Sequence, residues 1–79
     1  MVDKNGLTVR DLGRARYNKY NIYEVNFNNK NYRLKFSWDR WYIYDANILH
    51  FYYGNSTKIG SAETIEKAKA WILNNFGGK

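Results

Sequence analysis

YNIYEVNFNNKNYRLKFSWDRWYIY, residues 20–44, is the stretch whose reading decides the fold. Side chains on a strand alternate between two faces with period two. Folding the stretch into three consecutive antiparallel strands places Phe27 opposite Tyr32, Val25 opposite Leu34 and Tyr23 opposite Phe36. A second hairpin places Trp38 opposite Trp41 and Phe36 opposite Ile43. Both pairings send the same set to one side: Tyr23, Val25, Phe27, Tyr32, Leu34, Phe36, Trp38, Trp41 and Ile43. The other side carries Ile22, Glu24, Asn26, Arg33, Lys35, Ser37, Tyr42 and Tyr44. One face is a core; the other is basic, polar and aromatic. The turns fall at Asn28–Asn31, where Asn tolerates left-handed backbone, and at Asp39-Arg40. Glu24 is expected to face Lys35, which leaves Arg33 as the freer cation.

Downstream, Asp45-Ala46-Asn47 reads as a turn. Ile48–Tyr53 reads as a short fourth strand that includes His50, with an open register because both of its parities are apolar. Gly54-Asn55-Ser56 is a turn, and Thr57–Gly60 a brief extended piece. The spacing predicts a helix over 64–75. Ser61 or Thr64 is available as N-cap, with Glu63 and Glu66 near the positive end of the helix dipole. Ile65, Ala68, Ile72 and Phe76 share one face, Trp71 and Leu73 widen it, and Gly77-Gly78 ends it. That stripe has only the apolar sheet face to bury against. The expected fold is therefore α+β: a two-layer antiparallel sheet of three to four strands packed on one C-terminal helix.

The region before Tyr20 is less patterned. Residues 1–6 read as frayed. The rest of 1–19 reads as a basic N-terminal arm, with a short helix over Val9–Arg16 as the alternative; Gly13 would weaken that helix by about 1 kcal/mol relative to Ala. Residues 20–79 form a single sheet-plus-helix domain, since a 79-residue chain has no room for a second core.

Composition narrows the function. Thirteen Lys and Arg against seven acids give a net charge of +6. Residues 1–40 hold nine of the cations and four of the acids. A basic half attracts polyanions. Without Cys, and with His50 as the single His, thiolate metal sites and disulfides are excluded and acid–base catalysis is sharply limited. No nucleophile motif or phosphate-cradling Gly loop is present. The chain reads as a non-enzyme with no catalytic residues, metal or cofactor. No run approaches the roughly 20 apolar residues of a membrane span, and the start lacks a signal peptide's apolar core. No membrane partner is expected, and a cytoplasmic location is.

The candidate binding residues are Arg33, Lys35, Tyr42 and Tyr44 on one sheet face, with Lys30 and Arg40 at the hairpin tips. A sheet can lie in the major groove of duplex DNA with its cations on bases and phosphates. Tyr42 and Tyr44 can instead stack unpaired bases.

The pattern Trp41 … Gly54 … Thr64-Ile65-Glu66-Lys67-Ala68-Lys69-Ala70-Trp71 resembles the ending of small phage and mobile-element domains. In these a short sheet precedes a helix of T-x-x-x-A-x-x-W type. Within that group the chain is similar to the amino-terminal DNA-binding domains of tyrosine integrases and to AP2-like domains. The resemblance spans roughly residues 20–71. It implies three strands against a C-terminal helix, with the sheet face carrying Arg33, Lys35, Tyr42 and Tyr44 reading the major groove. The expectation is a nucleic-acid-binding accessory protein of a phage or mobile element, with duplex DNA the favoured partner. The alternative is an inhibitor or adaptor that grips a host defence or replication protein through an aromatic patch of Tyr42, Tyr44, Tyr52 and Tyr53. Either a monomer or a homodimer is compatible with the sequence.

Overall fold

The computed structural model describes residues 6–14, 16 and 18–77. The expected fraying of residues 1–5 and the contribution of Gly78 to the helix end lie outside the described residues. Among the described residues there are five strands and one helix. They are β1 (Thr8–Asp11), β2 (Tyr23–Phe27), β3 (Lys30–Ser37), β4 (Arg40–Asp45), β5 (Lys58–Ala62) and α1 (Ile65–Phe76). The strands form one antiparallel sheet in the order β1-β2-β3-β4-β5. The fold is α+β with a C-terminal helix, and it has one strand more than the sequence suggested.

The two faces are divided as alternation requires, but the first hairpin is tighter than expected and the second turns one residue earlier. Val25 pairs with Tyr32, and Leu34 with Ile43. Each register is displaced by two residues from the sequence reading, and a displacement of two preserves parity. Turn chemistry sets the difference. Asn28 (φ 55°) and Asn29 (φ 64°) alone make the first turn. Two left-handed residues in succession match the twist of the flanking strands, so Lys30 and Asn31 join β3. The second turn is Trp38-Asp39, closed by the pair Ser37 and Arg40. Trp38 therefore does not face Trp41 in the core. It takes φ 64° and is 92% exposed.

Two further segments differ from the sequence reading. Thr8–Asp11 is neither arm nor helix: it pairs with β2, Val9 opposite Val25 and Arg10 opposite Glu24. Asp11 shapes the exit from this strand. Its carboxylate accepts from Gly13 N at 2.7 Å and from Asn21 Nδ2 at 2.8 Å. Ile48–Tyr53 is not a strand; it belongs to the long β4–β5 connection, and the last strand forms later, at Lys58–Ala62. A run that is apolar on both parities has no solvent face to give a sheet, whereas a loop can turn some of its side chains in and leave others out. Buried Thr57 closes this loop. Its hydroxyl lies 2.7 Å from the Tyr52 carbonyl and accepts from Gly54 N at 3.2 Å.

The helix starts where expected. Thr64 is extended, and its hydroxyl accepts from Lys67 N at 3.1 Å. Gly77 N donates to Leu73 O at 2.9 Å at the other end. Ala68 and Ile72 are fully buried, flanked by Ile65, Trp71 and Leu73. They pack on Val25, Leu34, Trp41, Ile43 and Ala62, with Leu7 sealing the β1 side of the same core. Gly60 leaves room for the Trp71 ring to lie against β5. Phe76, expected in the stripe, is 43% exposed and stacks on Tyr32 at 5.0 Å. With the helix covering one face, the basic face of the sheet points away from the core. No helix is long and apolar enough to cross a membrane among the described residues.

Candidate nucleic-acid interface

The outer face is built by every second residue of β1 to β4, and on β5, where the register shifts opposite Ile43 and Tyr44, by Lys58 and Ser61. One transverse row runs Arg10, Glu24, Arg33, Tyr44, Lys58, each opposite the next. The adjacent row runs Lys35, Tyr42, Ser61, and Ser37 and Arg40 follow toward the Trp38 turn. Cations and aromatic rings therefore alternate across strands. Among the strand residues of this face, Arg10, Arg33, Lys35, Arg40 and Lys58 are cationic and Glu24 is the acid.

Glu24 sits between two arginines. Arg10 Nη2 lies 2.7 Å from Glu24 Oε1 and Arg33 Nη2 lies 3.7 Å from Glu24 Oε2. The carboxylate thus partners Arg33 and Arg10, not Lys35 as the longer hairpin had implied. Arg10 is well exposed, and exposed ion pairs contribute only about 0–1 kcal/mol.

The β4–β5 loop folds back over the same face. Arg33 lies over the Phe51 ring at 4.6 Å, and Lys35 over Tyr53 at 4.7 Å. On the far side Lys58 lies over Tyr42 at 4.7 Å. Phe51 and Tyr53 meet each other and Tyr44 edge-to-face, at 4.9 Å, 6.4 Å and 4.9 Å. This small cluster buries Tyr44 to 8% exposure. Burial, then the neighbouring phenols of Tyr42 and Tyr53, push the Tyr44 phenol above its ordinary value. Tyr44 is thus a structural ring beneath the loop, without an open face for a base. Arg33 is partly enclosed as well, and its Nε is buried with no hydrogen-bond partner.

The other expected residues divide. Arg40 is on the outer face, its Nε donating to Ser61 Oγ at 3.1 Å. Lys30 is exposed at the start of β3 but has the parity of Tyr32 and Leu34, so it stands apart from the cationic row. Arg10 and Lys58 belong to the face and were not expected there. Both lie on short strands without a clear alternating apolar set, so neither carried a facing signal. Phe51 was likewise hidden inside a run that looked like a strand. His50 is exposed in the loop.

Charge on the helical layer is paired. On the helix, Lys67 Nζ lies 3.0 Å from Glu63 Oε1 and Lys69 Nζ 3.3 Å from Glu66 Oε2. The hydrogen bond from Lys67, then the charges of Lys67 and Arg40, hold the Glu63 carboxyl below its ordinary value. The unbalanced positive charge of the strands and helix is therefore concentrated on the outer sheet face. No group of three or more His, Cys, Asp or Glu stands close enough to hold a metal ion among the described residues.

No family model matches the chain, and neither a curated protein nor a solved structure matches it.

Proposed function

We propose that this chain is a small nucleic-acid-binding module, an accessory protein of a phage or mobile element. It contacts the phosphate backbone with the outer face of its sheet. The observation that carries the reading is the cationic face itself: Arg10, Arg33, Lys35, Arg40 and Lys58 opposed by Glu24 alone, while the helical layer pairs its charges. A protein that neutralises several phosphates releases their counterions and binds with steep salt dependence. The Phe51–Tyr53 loop seated over Arg33 and Lys35 favours backbone contact over the flat sheet-in-groove reading of base edges.

An inhibitor or adaptor of a host protein is the second reading. Its expected patch of four tyrosines is largely covered, with only Tyr52 well exposed. Tyr44 is buried, and Tyr42 and Tyr53 lie beneath lysines. What favours it is the apolar loop tip, where Leu49 is 90% exposed and Ile48 and Tyr52 are about half exposed.

The deciding experiment is a salt series of binding to labelled duplex and single-stranded DNA and RNA. Binding should weaken linearly on a log–log plot. Arg40→Gln and Lys58→Gln should each lower the slope by about one. Lys69→Gln, on the opposite layer, should leave it unchanged. Absent binding, or a slope indifferent to the outer-face variants, overturns the proposal and leaves the loop tip as the contact for a protein partner.

A further inference from the structure

Trp38 is the residue least explained by folding. It occupies the first position of a two-residue hairpin turn with φ 64°, where a bulky side chain is disfavoured and Gly is the usual occupant. At 92% exposure it returns almost no burial for that strain. Beside it lies a cavity of about 260 Å³ lined by Asn18, Lys19, Phe36, Ser37 and Trp38. The polar groups of this lining are rich in donors. The Asn18 Nδ2 amide is buried and has no hydrogen-bond partner. Lys19 Nζ lies 5.5 Å from the centre of the Tyr20 ring, a cation held by an aromatic face. Ser37 adds a hydroxyl. Asp39, the next residue of the turn, is not among the residues that line it.

An open indole beside a donor-lined cavity carrying an ammonium suits one chemistry: a planar ring joined to an anion. A nucleotide is both. Its base can stack on an aromatic face whatever its identity, and its phosphate meets the cation. The base must be unpaired, because in a duplex both of its faces are covered by neighbours. Arg40 follows two residues later on the cationic face, so the same hairpin joins the two surfaces.

We infer that the Trp38 turn is a nucleotide site for an unpaired base, with Trp38 as stacking platform and Asn18, Lys19 and Ser37 as donors to the nucleotide. This rests on the nucleic-acid reading above and deepens it by naming single-stranded over double-stranded ligand.

The test compares binding of the full chain to oligothymidylate and to a hairpin duplex of equal length at one salt concentration. The wild-type protein should prefer the single strand. Trp38→Gly suits the turn's backbone, so its thermal midpoint should not fall. It should weaken single-strand binding about 5- to 100-fold and change duplex binding less than twofold. Trp38→Phe should retain most of the single-strand affinity. The inference falls, with the cationic face intact, if Trp38→Gly leaves single-strand binding unchanged or weakens both ligands equally. If the wild-type chain binds neither ligand, the nucleic-acid reading falls too, and the exposed indole becomes an anchor for a protein.

Discussion

Gly60→Ala should destabilise the fold, and the sign should reverse when Trp71 is made smaller. Gly60 pairs with Ile43 in the sheet and faces the helix. A Cβ there would meet Trp71 Cζ2, with Cε2 at 2.5 Å and Cη2 at 3.0 Å. The obstacle is the rigid indole of a partly buried residue that also meets Phe76 edge-on at 5.9 Å, so it cannot swing aside freely. Overpacking of this sort costs about 1–3 kcal/mol. Against it stands the entropic gain of replacing Gly by Ala, about 0.4–1 kcal/mol. Taking the middle of each range, the net loss should be about 1–2 kcal/mol, out of the roughly 4–12 kcal/mol typical for a domain of this length. The thermal midpoint should fall by about 4–15 °C. In a Trp71→Leu background the clash is removed, and Gly60→Ala should become stabilising by about 0.4–1 kcal/mol. Urea unfolding followed by far-UV circular dichroism measures all four proteins without relying on the substituted tryptophan. Equal destabilisation in both backgrounds, or a stabilised single variant, would refute the idea that Gly60 exists to seat Trp71.

Two further outcomes follow from the helix start. Thr64→Ala removes the hydroxyl that accepts from Lys67 N and should cost about 1 kcal/mol in the same urea assay; a neutral result would mean that water caps the helix equally well. Glu63 has a depressed carboxyl pKa in the fold, caused first by the hydrogen bond from Lys67. Its stabilising contribution is therefore present above the unfolded carboxyl value and is lost as pH falls through the lower folded value. An NMR titration of Glu63 should show a midpoint below that of an unperturbed glutamate, and Lys67→Gln should raise it; an unmoved midpoint would break the assigned cause.

At the Trp38 turn the side chain present works against stability. A glycine at that position would relieve a left-handed backbone that costs of order 1–3 kcal/mol in a bulky residue. The side chain retained there buries little of itself. Strain at an exposed hairpin tip, next to an unpartnered buried amide, is a physical reason to look for a ligand at that end of the sheet.

The division of the sheet into a core face and a basic face was readable from residues 20–44, because alternation is a local property and survives any even shift of register. The helix, its Thr64 cap and its Ala68 and Ile72 contacts were readable for the same reason: period and capping chemistry are written within a few residues of one another. The grouping of Arg33, Lys35, Tyr42 and Tyr44 on one face followed from parity alone. What each of them touches did not. A slip of two residues leaves parity unchanged, so it decided silently that Glu24 would bind Arg33 rather than Lys35, and that Trp38 would leave the core for a turn. The four residues of β1 were too short and mixed to announce a strand, and only the open edge of β2 makes them one. The apolar run Ile48–Tyr53 satisfied strand and loop alike. Its folding back over the outer face, with Phe51 on Arg33 and Tyr53 on Lys35, depends on contacts between residues far apart in the chain. Local pattern sets which way a side chain points; the neighbour it meets there is set by how turns and long loops close, and that energy is shared among distant residues.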